Sequence, residues 1–236
     1  MHEFLQAVRE NLGFFLTCLG IFAALALAAK IAEKLMKMPN RLNTARTVSY
    51  TAMFGAIAAI LMYLEIPLFF APSFYQLDLS EVPVLICTFY LGPVSGVVCE
   101  LLKILIKVLI KGTSTAFVGD FANFFVGCAL VLPASICYHF KKSKKSAVWG
   151  MIIGTAVMTV FGSFFNAVYL LPKFSQPFGL PLDAIVAMGS EVNKAINSVS
   201  TLVLFAVVPF NILKGIVVSV LTLLLYKRVE KIFFRS

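Results

Sequence analysis

The chain has 236 residues, 60% of them hydrophobic and only 13% charged, with a formal net charge of +9. Soluble domains contain about 45–50% apolar and about 25% charged residues, so this composition excludes an ordinary soluble protein and makes the bilayer the solvent. The basic residues sit in short clusters between apolar runs, which is the pattern of membrane topology signals rather than of nucleic-acid binding.

Seven apolar runs follow in chain order: about Leu12 to Ala29, Val48 to Leu64, Val82 to Leu91, Val94 to Ile110, Phe117 to Tyr138, Ala147 to Leu171 and Val199 to Tyr226. Most approach the roughly 20 residues that cross about 30 Å of hydrocarbon as a helix. They are too long, and alternate too little, for the strands of a closed barrel, so the fold class is an all-α integral membrane protein. The first run is not a signal peptide, because Glu3 and Glu10 stand in its leading flank and the stronger basic cluster follows it. The third run is short and is divided from the fourth only by Gly92 and Pro93, which predicts a tight helical turn near one membrane face.

Thirteen of the twenty basic residues fall on one side of this arrangement, in the stretches Lys30 to Arg46, Lys141 to Lys145 and Lys227 to Arg235. The positive-inside bias then places the amino terminus outside and the carboxyl terminus in the cytoplasm. The outer side carries two long connections, Glu65 to Ser80 and Pro172 to about Asn197. Phe69, Phe70, Phe74, Tyr75 and Phe178 make them too aromatic for linkers. They read as caps over an outward-facing cavity, with adsorption to the bilayer interface as the alternative.

Polar side chains at membrane depth mark candidate sites. Asn166 lies deep in the sixth run. Asn211 and Lys214 share a face of the last helix at i and i+3, just after Pro209, which is expected to kink it. Two amides and an ammonium suit a planar heterocycle with carbonyl and ring-nitrogen edges, although a buried Asn also serves as interhelical glue. Lys214 lies twelve residues from the cytoplasmic end of its run and cannot easily snorkel.

In the fourth run Glu100, Lys103, Lys107 and Lys111 form one stripe. Lys103 either pairs with Glu100 or reaches the cavity, while Lys107 and Lys111 are placed to snorkel outward. Asn123, beside Asp120, either contributes to the site or caps its helix. Ala52, Gly55, Ala56 and Ala59 give the second run a small-residue face for close helix approach, either within this chain or with a partner.

Other chemistry has little support. There is no GxxxxGK[ST] phosphate loop to supply ATP energy, and no Ser-His, Cys-His or paired-carboxylate set to suggest an enzyme. The five cysteines lie inside apolar runs without a CxxC pair, and the two histidines lack ligand partners nearby in sequence, so neither a metal site nor a disulfide framework is expected.

The stretch YQLDLSEVPVLICTFYLGPVSGVVCELLK, followed by ANFFVG, FNAVYLLP and VPFNILKGIVVSVLTLLLYKR, resembles the riboflavin-specific S component of energy-coupling factor (ECF) transporters. The likeness runs from about Val48 to Arg228, and YQLDLSEVP and PFNILKG are its most specific elements. It implies a six-helix core, residues 46–236, that binds the vitamin in its outer half beneath the loop joining its first two helices. Residues 1–45 then form an added transmembrane helix with a basic linker.

The resemblance also implies a T component and two ATP-binding subunits as partners, in a bacterial cell membrane, with riboflavin as transported substrate and not as cofactor. Asn166, Asn211 and Lys214 correspond to the residues that hold the flavin ring in the family. Leu77, Asp78 and Glu81 of the YQLDLSEVP element, together with Asn123 and Lys103, complete the candidate substrate-binding set. The face at Ala52, Gly55, Ala56 and Ala59 corresponds to the surface that docks on the T component. Two departures, the added first helix and a longer loop after Pro172, leave open a preference for flavin mononucleotide or another vitamin.

Overall fold

A computed structural model of the chain describes residues 12–38, 44–72, 74–113, 117–172 and 181–234. It is a helical bundle in which α1 (Leu12–Leu35), α2 (Ala45–Met62), α3 (Glu81–Leu91), α4 (Pro93–Lys111), α5 (Val118–Phe140) and α6 (Lys144–Phe165) correspond to the first six apolar runs. Beyond α6 come a π-helical continuation (Asn166–Leu170) and α7 (Leu182–Val192) within the second long connection. The last run is a continuous helix built of α8 (Val199–Leu202), a π-helical stretch (Val203–Val207) and α9 (Val208–Val229).

Five of these helical segments are long and apolar enough to cross a membrane. The protein is a multi-pass membrane protein. The other two differ for physical reasons. α4 has 19 residues, about 28 Å of helix, but carries the charged stripe. α3 has 11 residues, about 16 Å, and spans only part of the hydrocarbon by itself. The chain enters α3 from a buried approach, with Leu77, Asp78 and Ser80 all inside the protein. The turn expected at Gly92 and Pro93 is present: Gly92 adopts φ +112°, which suits glycine, and Pro93 opens α4 at the position where its missing N–H costs nothing.

Side-chain contacts sort the helix ends into two groups. At one end, Glu33 of α1 accepts a hydrogen bond from the Val94 amide at 2.9 Å, His139 of α5 meets the Thr88 carbonyl at 2.9 Å, and the Tyr90 hydroxyl donates to the Tyr226 carbonyl. At the other, Lys111 pairs with Glu65 at 2.7 Å, Lys107 with Asp120 at 2.5 Å, and Tyr75 reaches Asn166. The described residues of all three basic clusters adjoin the first group in sequence.

Glycines allow the tightest approaches. A Cβ on Gly154 of α6 would lie 2.5 Å from the Leu130 carbonyl oxygen, and one on Gly150 would lie 2.7 Å from that of Ala134, so α6 lies directly on the α5 backbone.

The small-residue face of α2 is divided. Gly55 and Ala59 are buried within the chain, and a Cβ on Gly55 would stand 3.0 Å from Leu102 Cβ of α4, whereas Ala52 is exposed and Ala56 half-buried. The four expected docking residues therefore do not share one open face: Gly55 packs against α4, Ala59 is buried within the chain, and Ala52 and Ala56 keep access to the outside.

Candidate functional site

The first long connection folds as a small antiparallel hairpin, β1 (Ile66–Pro67) with β2 (Gln76–Leu77), which the apolar pattern did not foretell. It carries Phe74, Tyr75 and Gln76 over a cavity of about 550 Å³ at the second group of helix ends. That size suits a drug-sized molecule. From the second connection, Ile185 and Met188 of α7 also line the cavity. Of the aromatics expected to cap the cavity, Phe74 and Tyr75 line it, Phe69 is 92% exposed, and Phe178 lies outside the described residues.

Asn166, Asn211, Lys214 and Asn123 converge on this cavity from α6, α9 and α5. Asn166 sits where α6 widens into its π-helical turn. Its Nδ2 donates to the Gly162 carbonyl at 2.8 Å, and its Oδ1 accepts from the Tyr75 hydroxyl at 2.7 Å. Burial pushes the Tyr75 phenol well above its ordinary pKa, so it remains a donor. Asn211 is 3% exposed, and its Nδ2 has no hydrogen-bond partner among the described residues. Phe210 adds an aromatic wall, with its ring centroid 5.6 Å from that of Tyr75. Pro209 stands in the first turn of α9, and the π-helical stretch Val203–Val207 precedes that helix.

The other candidates lie outside the cavity lining. Leu77, Asp78, Glu81 and Lys103 are buried beside it. Lys103 is fully buried between Glu100 Oε2 at 2.6 Å and Glu81 Oε1 at 2.9 Å, so it is an internal ion-pair partner and does not line the cavity. Gly127 leaves room for Glu100, since a Cβ there would come within 2.7 Å of Oε1.

Lys214 is not an isolated cation. Its Nζ lies 2.8 Å from Asp78 Oδ2 and 3.6 Å from Glu81 Oε1. Asp78 also accepts from the Ser80 amide at 2.9 Å and from the Ser80 hydroxyl. Burial alone would raise the Asp78 carboxyl, but Lys214 and Lys103 overcome it and hold the pKa down at about 2. Asp78, Glu81, Glu100, Lys103 and Lys214 thereby tie the hairpin, α3, α4 and α9 together beneath the cavity. One face of Lys214 belongs to this network and another to the cavity wall.

Sequence reasoning missed Glu65 and Gln76 in the lining. Lys107 and Lys111, expected to snorkel outward, both line the cavity and are paired with carboxylates. Spacing within one helix carries no trace of partners drawn from another. Among the described residues, no cluster of three or more His, Cys, Asp or Glu side chains is placed to hold a metal.

Residues 46–226 match the family model described as the substrate-specific component of the ECF transporter. The chain belongs to the S components of ECF transporters. This S component is 38% identical over 184 residues to "Riboflavin transporter RibU" of Staphylococcus aureus (strain TCH60), covering 78% of this chain and 90% of that protein. It is 30% identical over 180 residues to "Riboflavin transporter FmnP" of Bacillus subtilis (strain 168), covering 76% and 89%. A solved structure titled "Structure and mechanism of the S component of a bacterial ECF transporter" superposes with a TM-score of 0.62 at 35% identity, covering 80% of this chain and 97% of that one. The family is the substrate-binding part of a transporter and not an enzyme.

Proposed function

We propose that this S component captures riboflavin from outside a bacterial cell and delivers it across the membrane with a T component and two ATP-binding subunits. One observation carries the reading: Asn166, Asn211 and Lys214, set on two different helices, converge with Tyr75 and Phe210 on a single cavity beneath an aromatic cap. Aromatic walls suit a flat tricyclic ring, and amide and ammonium groups suit its carbonyl and nitrogen edge. The names of the relatives support riboflavin as the substrate.

Asn123 joins the binding set from the cavity wall, while Asp78, Glu81 and Lys103 act by holding Lys214 and the hairpin in place. Ala52 and Ala56 supply the remaining docking face toward the T component. The basic clusters gathered at the end away from the cavity support an outer amino terminus and a cytoplasmic carboxyl terminus. The family match begins at residue 46, which supports reading residues 1–45 as an addition to the core, with α1 as its transmembrane helix.

The decisive experiment is purification in detergent followed by fluorescence titration with riboflavin. A yellow preparation that quenches flavin fluorescence at saturating stoichiometry is expected. A colourless protein that ignores flavins and binds another vitamin would overturn the assignment.

A further inference from the structure

The connection from α5 to α6 runs only from Lys141 to Ser143, between two helices that are long and apolar enough to cross a membrane, so it lies at a membrane surface. An open cavity of about 870 Å³ is set against it, at the helix ends away from the aromatic cap. Ile136, Phe140 and Trp149 give this cavity its apolar lining, and Lys141, Lys144 and Lys145 give it charge. Phe140 is 80% and Trp149 62% exposed, and tryptophan in particular favours the boundary between headgroup and hydrocarbon. Lys145 and Trp149 share a face of α6 at i and i+4, with the backbone of Trp149 about 6 Å farther into the helix.

The charge at this turn is unanswered within the chain. Lys103, Lys107, Lys111, Lys214 and Lys227 each hold a carboxylate. Among the described residues, no carboxylate lies within ion-pair distance of Lys141, Lys142, Lys144 or Lys145. Lys144 and Lys145 also open α6 without an acidic residue in its first turn, where cations oppose the helix dipole. A fitting occupant therefore joins a negative group to a hydrocarbon part. A soluble phosphate answers the lysines and leaves Phe140 and Trp149 uncovered, whereas a neutral lipid covers the rings and leaves the lysines unanswered.

We infer that the α5–α6 turn is a binding site for an anionic phospholipid, whose phosphodiester sits among Lys141, Lys144 and Lys145 and whose acyl chain covers Phe140 and Trp149. Basic pockets between membrane helices hold anionic headgroups in this way. The site is independent of what the outer cavity binds.

Trp149 is the single tryptophan of the chain, so its fluorescence reports on this site. The full-length protein is reconstituted in phosphatidylcholine vesicles, into which brominated phosphatidylglycerol or, separately, brominated phosphatidylcholine is titrated as quencher. Half-maximal quenching is expected at a mole fraction about fivefold lower for the anionic lipid. Equal quenching by the two lipids would overturn the proposal and leave only ordinary lipid solvation. Lys145→Gln should lose most of the preference, whereas Lys142→Gln, the same change of charge outside the lining, should keep it. Both lysines are exposed, so both variants should unfold thermally with the native protein. Equal loss of preference in the two variants would reduce the effect to diffuse surface charge and overturn the site. The preference should be the same in inorganic phosphate and in chloride at matched ionic strength. Its loss in phosphate alone would overturn the lipid assignment and give the lysines to a soluble phosphate.

Discussion

The Tyr75 hydroxyl donates a hydrogen bond to Asn166 Oδ1 at 2.7 Å, joining the first long connection to the π-helical turn that follows α6. The contact fastens the cap and also fixes which way round the Asn166 amide stands, since Nδ2 is turned to the Gly162 carbonyl. Tyr75→Phe keeps the ring against Phe210 and removes only the hydroxyl. Flavin affinity is expected to fall by about 1 kcal/mol, mostly through faster release, because the cap loses its latch and Asn166 loses a partner. Stopped-flow fluorescence reads this directly. An unchanged release rate would mean that the hairpin is held by its packing alone.

Asn211 and Lys214 share a helix face and a cavity, yet their loss should look different. Asn211→Ala removes an amide whose Nδ2 has no internal partner, so riboflavin affinity should drop by about 1–3 kcal/mol with little change in thermal unfolding. Lys214→Ala should weaken binding on the same scale, and it also strands Asp78 and part of Glu81, so its melting temperature should fall as well. Titration alongside thermal unfolding in detergent separates the two. Unchanged affinity in both variants would remove these residues from the site.

What could be read in advance follows the reach of local geometry. Asn211 and Lys214 were legible as a pair because three residues on a helix fix their relation, and the Glu100–Lys103 pair was legible for the same reason. Glu81 as the bridge between Lys103 and Lys214 was not, because its partners come from α4 and α9 and meet only after the bundle has formed. The same limit hid the pairing of Lys107 with Asp120 and the split of the α2 small-residue face. The two-residue strands of the hairpin are too short to leave a period-2 signal. In α7, Leu182–Val192, an 11-residue helix stands inside what composition presented as a loop.

The ion network predicts a specific acid limit. Asp78 has its pKa held down at about 2 in the folded protein, against an ordinary value of 3.8. A depressed carboxyl contributes stability that is fully present above about pH 4 and disappears as pH falls from about 4 toward 2, on the order of 2 kcal/mol in all. Asp78→Asn should therefore be less stable than the native protein at neutral pH and converge with it over that window, as measured by thermal unfolding across a pH series. A constant difference between the two proteins down to pH 2 would mean that the salt bridge to Lys214 contributes little.

The divided face of α2 separates folding from coupling. Gly55 is covered by α4, and a Cβ there already crowds Leu102 at 3.0 Å, so Gly55→Leu should leave little folded protein. Ala56 lies one position further round the helix and is half-buried, with exposed Ala52 one turn before it. Ala56→Trp should then leave riboflavin binding by the isolated S component within about twofold of native while sharply reducing uptake in cells or in vesicles containing the whole transporter, because a bulky ring prevents the close helix approach on which association in lipid depends. Binding and uptake measured on the same variant decide the matter. Native uptake by Ala56→Trp would move the docking surface to another face of the bundle, and loss of binding would show that the α2 face supports the cavity from within.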